Sequence, residues 1–188
     1  MKTKTITVYE FKDLDKKARE YAKEKYYEIE DYPFLTEDLT ASLEDLAPYW
    51  KDTKLQYSLG YRQGDGLSFS GELDIEIFLK EKMPQIKRKK VMKEFIYKIY
   101  ATGNKGHYSY ASPKDVAIEF NYQTGKEYKR LEKEAISILK TVQDDYFDLC
   151  KKLEKEGYSI LEYRMNDDEF QEHCEINEYE FDINGKRI

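Results

Sequence analysis

The amino-acid sequence predicts an α+β fold, in which a mainly antiparallel sheet is built from hairpins and helices pack on one face. The first observation is that two runs of alternating apolar and polar residues flank a Gly-Asp-Gly turn; the second is a similar pair of runs further along the chain. The third is that longer segments carry apolar residues every three or four positions, as amphipathic helices do. Hairpins join strands that are neighbours in sequence, so antiparallel pairing is expected.

Composition restricts the class of protein. The chain has 188 residues, of which 38 are acidic and 32 basic, and 40% are hydrophobic, which exceeds the apolar content of disordered chains. No linker rich in Gly, Ser or Pro divides it, so we predict a single domain over residues 1–188. It has no apolar run of membrane-spanning length and no signal peptide, and its two cysteines lack metal-ligand spacing. We therefore expect a cytoplasmic protein with no membrane contact, disulfide or cofactor.

The N-terminal part predicts one strand and two helices. Residues 3–11 alternate as a strand does, and Asp13 is a candidate N-cap for an amphipathic helix that ends near Pro33. A second helix is expected from Thr36 to the residue before Pro48. Its predicted apolar face consists of Leu39, Leu43 and Leu46.

The strongest strand signal is a hairpin. Alternating runs over 55–62 and 67–77 flank the Gln63-Gly64-Asp65-Gly66 connection, whose glycines supply the positive φ of a tight turn. The loop joins a strand to a strand, and this context argues against a phosphate-binding loop, which joins a strand to a helix.

The rest of the chain alternates between helical and strand-like patterns. Pro84 is expected to start a helix that includes Phe95, Ile96 and Ile99 and ends before Gly103. The later predicted elements are a hairpin with strands at 107–110 and 116–120, a helix over 126–156 ended by Gly157, a strand over 158–163, an acidic helix over 167–176 and a turn at Asn184-Gly185.

Catalytic and metal-binding motifs are not found. His107 has no neighbouring nucleophile or carboxylate in a known pattern, and Glu169 with His173 gives only an i, i+4 pair beside Cys174. The remaining candidates are pairs or single residues outside any motif, namely Glu72 with Asp74, Asp144 with Asp145, and Ser58, Ser68 and Ser70. We predict no catalytic and no metal site.

Charge is segregated along the chain. Residues 80–105 contain nine basic and two acidic side chains, whereas residues 162–182 contain nine acidic and one basic. Three interpretations are open. The basic segment, with Tyr97 and Tyr100, could contact phosphates and unpaired bases; the two segments could face each other within the fold or across a homodimer; or both could be ordinary solvated surface.

The hairpin carries a resemblance to a known family. The stretch LQYSLGYRQGDGLSFSG over residues 55–71 resembles the YSLSYSQGDGxSFxG signature of small proteins from phages and prophages of low-GC Gram-positive bacteria, and differs from it at Gly60 and Arg62, where that family has serines. The chain's final 14 residues, from Glu175, are similar to the usual ending of those proteins, and its beginning is similar as well. The resemblance implies an accessory protein, such as a counter-defence factor or an anti-CRISPR protein directed at a Cas9-type nuclease.

We therefore predict a non-catalytic protein that inhibits or regulates a host protein or ribonucleoprotein by contact. RNA or single-stranded DNA could form part of that contact. The alternatives are a nuclease acting on RNA or DNA, and an antitoxin or single-strand binder. The predicted partner-binding residues are Arg62, Gln63, Asp65, Lys87, Arg88, Lys89, Lys90 and Tyr97.

Overall fold

The structure is a computed structural model that describes residues 7–29, 34–102, 116–121 and 125–188. Within these ranges it has six α-helices and one four-stranded sheet, which confirms the α+β prediction. The sheet is antiparallel throughout, in the order β1-β2-β3-β4. The elements are α1 (Lys16–Ile29), α2 (Leu35–Leu46), β1 (Trp50–Ser58), β2 (Gly66–Leu73), α3 (Ile75–Glu81), α4 (Lys89–Phe95), β3 (Ile96–Thr102), β4 (Val116–Phe120), α5 (Lys126–Arg164) and α6 (Asp167–Ile176).

Contacts divide the chain into two compact units. The terminal unit combines Met1–Leu35 with Tyr158–Ile188, and the central unit is Thr36–Gly157, which contains the whole sheet. The single domain expected over residues 1–188 stays a prediction.

The core of the central unit lies between the sheet and α5. Tyr146, on α5, is almost fully buried, and its ring centroid lies 4.5 Å from that of Phe69 on β2. Its hydroxyl donates to the carbonyl of Phe69 and accepts from the backbone N–H of the same residue at 3.1 Å. Burial raises the pKa of this hydroxyl, so it remains a neutral donor. One side chain of α5 thus bonds both backbone polar groups of Phe69.

The second strand of the hairpin is shorter than predicted. Ile75 and Ile77 continue the alternating pattern of β2, but they lie on α3. The cause is Asp74, whose carboxylate accepts hydrogen bonds from the backbone N–H groups of Glu76, at 3.1 Å, and Ile77, at 3.2 Å. An N-cap of this kind favours a helix start, and here the helix replaces the strand that the alternating pattern predicts.

The helix predicted from Pro84 is only partly correct. The helix α4 covers Lys89–Phe95, and the chain then enters β3, so Ile96 and Ile99 are strand residues. Both are buried although they are three positions apart, because the register against β4 shifts between Ile96 and Lys98. This β-bulge adds one residue, Tyr97, and so produces a spacing that is typical of a helix.

The long C-terminal helix passes through its predicted end. Gly157 lies inside α5, and residues 158–163, predicted as a strand, are helical. A Cβ atom there would lie 2.5 Å from a methyl group of Leu59, so that this side chain would have to move, and 3.5 Å from Leu39. The sequence pattern therefore wrongly predicted a helix end at a glycine that lies inside α5 and in close contact with Leu59.

The N-terminal predictions are corrected in three details. The helix α1 is started by Asp15 rather than Asp13, since the Asp15 carboxylate accepts from the N–H of Ala18 at 2.9 Å. Of the strand predicted over 3–11, residues 3–6 lie outside the described residues, and Tyr9 forms only an isolated bridge with Phe181. On α2, Leu39 and Leu43 are buried as predicted, but Leu46 is exposed.

Candidate contact surface

The Gln63-Gly64-Asp65-Gly66 connection is a structured loop held by its aspartate. Asp65 accepts hydrogen bonds from the Ser58 hydroxyl and from the Arg62 N–H, both at 2.7 Å, and its own N–H donates to the Arg62 carbonyl at 3.1 Å. Gly64 has a φ of 95°, as the turn requires. Asp65 therefore shapes the loop, while Arg62 and Gln63 are exposed at its tip.

The basic residues selected from the sequence surround the start of α4. Lys87 and Arg88 lie in the turn before it and Lys89 and Lys90 in its first turn; Lys89 is half-buried and the other three are exposed. Arg88, in the N-cap position, does not cap the helix through its side chain, and the first turn has no acidic residue. Cations at this end oppose the helix dipole, so their placement does not stabilise the helix.

Three other cations of the basic segment form ion pairs inside the central unit. Lys93 pairs with Glu76. Lys82 pairs with Asp145 at 2.8 Å, and Lys98 with Glu72 at 2.6 Å. These contacts reduce the net charge that the segment presents to an outside partner.

The bulge at Tyr97 borders a groove on the sheet. The side chain of Tyr97 is 68% exposed. The groove has a volume of about 480 Å³. We call it the bulge groove; its side-chain lining is Asp52, Glu72, Tyr97, Lys98, Tyr100 and Glu119.

The charge of the bulge groove is negative. It contains three carboxylates and one ammonium group, that of Lys98, which bonds Glu72 and lies 5.6 Å from the centre of the Tyr100 ring. The hydrogen bond from Lys98 to Glu72 is the main cause that raises the pKa of Lys98, so this ammonium stays charged. A phosphate backbone would be repelled here, whereas a cationic or aromatic side chain of a protein fits.

The predicted contact residues do not form one patch. Gly66, next to the loop, pairs with Ser58 at one end of the hairpin, and Leu73 pairs with Trp50 at the other. Tyr100 pairs with Glu72, so Tyr97, three residues earlier on an antiparallel strand, lies beyond the Leu73 end. Seven strand steps separate Gly66 from Leu73, about 23 Å. The loop and the bulge are therefore at opposite ends of β2.

One carboxylate of the acidic segment, that of Asp167, forms ion pairs within the terminal unit. Asp167 forms ion pairs with Lys23 and with Arg19, the latter at 3.4 Å. The hydrogen bond from Lys23 is the main cause that lowers the pKa of Asp167. His173 bonds the Tyr26 hydroxyl through Nε2 at 2.8 Å. Over the described ranges, no cluster of three His, Cys, Asp or Glu side chains could hold a metal ion.

The other candidates from the sequence have structural contacts. Asp74 caps α3, and Asp145 accepts from the Tyr49 hydroxyl at 2.6 Å. Ser68 is fully buried. Burial raises the pKa of both thiols, those of Cys150 and Cys174, to about 12, so neither is a thiolate at neutral pH. His107 lies outside the described residues.

The membrane test of the helices and three comparisons with known proteins complete the description of the chain. Among the described helices, none is long and apolar enough to cross a bilayer. Searches against protein-family models, curated proteins and solved structures give no significant match. The observations that bear on function are therefore the geometry of the described residues and the sequence of the hairpin.

Sequence reasoning missed most of the bulge groove. It selected Tyr97 for its place after a basic helix, but Glu72, Lys98 and Glu119 join it only through strand pairing. One local signal was present, since Tyr97 and Tyr100 are large polar aromatics beside charged residues in a segment that is otherwise apolar.

Proposed function

We propose that this chain is a phage-type accessory protein that binds a host protein through the bulge groove, with the exposed cations Lys87 and Lys90 around the start of α4 as further contacts. The observation that carries the proposal is Tyr97, an aromatic side chain that a bulge turns out of the sheet. Bulges often re-aim a side chain for function, and tyrosine is enriched among residues that dominate binding energy. The host cytoplasm is the proposed location.

The charges favour a protein as the partner. The carboxylates of the groove suit a lysine or arginine of the partner, and the exposed Lys87 and Lys90 suit its acidic residues. A mixed pattern of this kind discriminates between proteins, whereas nucleic acid would need cations throughout. The likeness of residues 55–71 to the phage signature supports host defence machinery, with a Cas9-type nuclease bound to its guide RNA as the specific partner.

The test is DNA cleavage by a Cas9–guide RNA complex from a low-GC Gram-positive bacterium, titrated with the purified protein. We expect inhibition, and Tyr97→Ala should weaken it about tenfold or more, as loss of a central aromatic does. Tyr163→Ala is the matched control, because Tyr163 is similarly exposed, at 62%. Equal effects of the two variants would reject the groove, and unhindered cleavage without complex formation would reject this partner.

A second candidate is a single-strand nucleic-acid binder. It is favoured by one observation, the exposure of Lys87, Arg88 and Lys90 close in sequence to Tyr97. This function predicts affinity for labelled single-stranded DNA or RNA that falls steeply with salt. Binding that is insensitive to Lys87→Gln and Lys90→Gln would reject it.

A further inference from the structure

The terminal unit contains a pocket with aromatic walls. Its volume is about 320 Å³, within the range of small-molecule sites. The only aliphatic side chain in the lining is that of Ala22, so the walls suit a flat ring rather than an acyl chain. The rings that line it belong to Tyr21, Tyr26, Phe170, Tyr179 and Phe181.

Contacts between distant parts of the sequence hold these walls in place. Phe181 exchanges two backbone hydrogen bonds with Tyr9, each of 2.9 Å. Tyr26 lies against His173 through its 2.8 Å hydrogen bond, and its ring centroid is 5.3 Å from that of Phe170. Gly185, at a φ of 84°, brings the C-terminal turn against the backbone of Ala18. These contacts within the chain therefore define the walls of the pocket.

The charge of the pocket is opposite to that of its surroundings. The terminal unit has 17 acidic and 11 basic residues, yet the lining that the described residues form includes three cations, Lys25, Lys186 and Arg187, and no carboxylate. The guanidinium of Arg187 lies 4.4 Å from the centre of the Tyr179 ring. A guanidinium stacked by its face has N–H donors around its edge, in the geometry that recognises phosphate. The pocket is thus complementary to an anion that carries a flat ring.

We propose that this pocket binds a nucleoside monophosphate, with the base among the tyrosine and phenylalanine rings and the phosphate on Lys186, Arg187 and Lys25. Proteins that bind single-stranded nucleic acid combine stacking of the bases on aromatic side chains with cations that contact the phosphates, and the pocket offers both. The site is independent of the bulge groove, since its lining belongs entirely to the terminal unit. The same base-and-phosphate unit occurs free and in single strands, and the experiment separates the two sources.

The test is calorimetric titration of the full chain with AMP, UMP, adenosine, a short oligothymidylate and a phosphotyrosine peptide. We expect AMP and UMP to bind and adenosine to bind at least about tenfold more weakly, because the charge-assisted contacts to phosphate are lost. Tighter binding of the oligothymidylate would assign the site to single strands. Stronger binding of the phosphotyrosine peptide, or no binding of any nucleotide, would overturn the proposal.

Variants locate the site and exclude misfolding. Lys186→Gln should weaken AMP binding about tenfold, whereas Lys17→Gln, which removes one exposed charge from α1 outside the pocket, should leave it unchanged. Tyr21→Leu should weaken binding while keeping an apolar wall, and thermal unfolding of each variant tests its fold. Equal affinities of the Lys186 and Lys17 variants would place the nucleotide elsewhere.

Discussion

At the scale of single residues, glycine determines how closely two backbones approach. Gly185 combines a positive φ of 84° with a position where a Cβ atom would overlap the carbonyl oxygen of Ala18. A side-chain rotation could not relieve either feature in a variant with a Cβ atom at this position, because both the strained φ and the overlap with Ala18 involve the backbone. This residue therefore controls both the C-terminal turn and one wall of the aromatic pocket.

We expect Gly185→Ala to lower the free energy of unfolding by about 2–4 kcal/mol, as strain in φ and overpacking combine. Gly125→Ala is the control, since Gly125 also has a positive φ, 123°, but has open space around it. Gly125→Ala should lower the free energy of unfolding only through the backbone strain of the positive φ, by about 1–2 kcal/mol. Urea denaturation followed by circular dichroism measures both; equal losses would show that the close approach to Ala18 has no energetic weight.

The charge of Glu154 destabilises the folded chain. Burial, and secondarily the charge of Asp65, raise the pKa of Glu154 above its ordinary value. The folded state therefore binds the proton more tightly than the unfolded state, and stability from this group is present at low pH and lost as pH rises through the raised pKa. We expect Glu154→Gln to raise the melting temperature at pH 7 and to have little effect near pH 4, in scanning calorimetry.

The charge of Asp167 stabilises the folded chain, which is the opposite of the effect of Glu154. Its pKa is lowered by Lys23 and Arg19, so its contribution is present above the ordinary pKa of an aspartate and is lost as pH falls through the lowered pKa. Asp167→Asn should lower stability at pH 7 by less than about 1 kcal/mol, because the side chain is half exposed. If the melting temperature at pH 7 rose for both Glu154→Gln and Asp167→Asn, or for neither, these assignments would be contradicted.

At the scale of elements, the sequence predicts most helices and strands, but local exceptions move their boundaries. The apolar stripe of α5 and the alternation of β1 and β2 are long patterns that a single residue does not obscure. The bulge at Tyr97 and the contact at Gly157 are different, because each depends on a partner that the local pattern does not contain. The bulge gave the start of β3 a helical spacing of apolar residues, and Gly157 led to a predicted helix end in the middle of α5.

The start of α4 offers a prediction at this scale. Lys89→Glu places a carboxylate in the first turn, where it favours the helix dipole and can pair with Lys93 four residues later. We expect stability to rise by up to about 1 kcal/mol while binding of the host partner weakens. Lys80→Glu is the control, since Lys80 lies in the last turn of α3 and the same charge change there should destabilise. If Lys89→Glu left partner binding intact, α4 would not belong to the contact surface.

At the scale of the whole molecule, the candidate sites come from contacts that are distant in sequence. Tyr26 and His173, which support the aromatic pocket, are 147 positions apart. The bulge groove likewise combines β1, β2, β3 and β4. The sequence showed segregated charge, with a contact surface as one of three interpretations, but only the fold decides which of these residues meet. For this reason the sequence indicated Tyr97 and named Glu72 in another context, but did not bring Glu72 and Glu119 together beside Tyr97.

The central claim is that Tyr97 contacts a host protein. The most direct measurement is photo-crosslinking from a benzoylphenylalanine placed at position 97 in phage-infected host cells, with the same probe at position 163 for comparison. We expect a protein adduct that forms from the probe at position 97 and not from the probe at position 163. A nucleic-acid adduct at 97, or the same products from both positions, would contradict it.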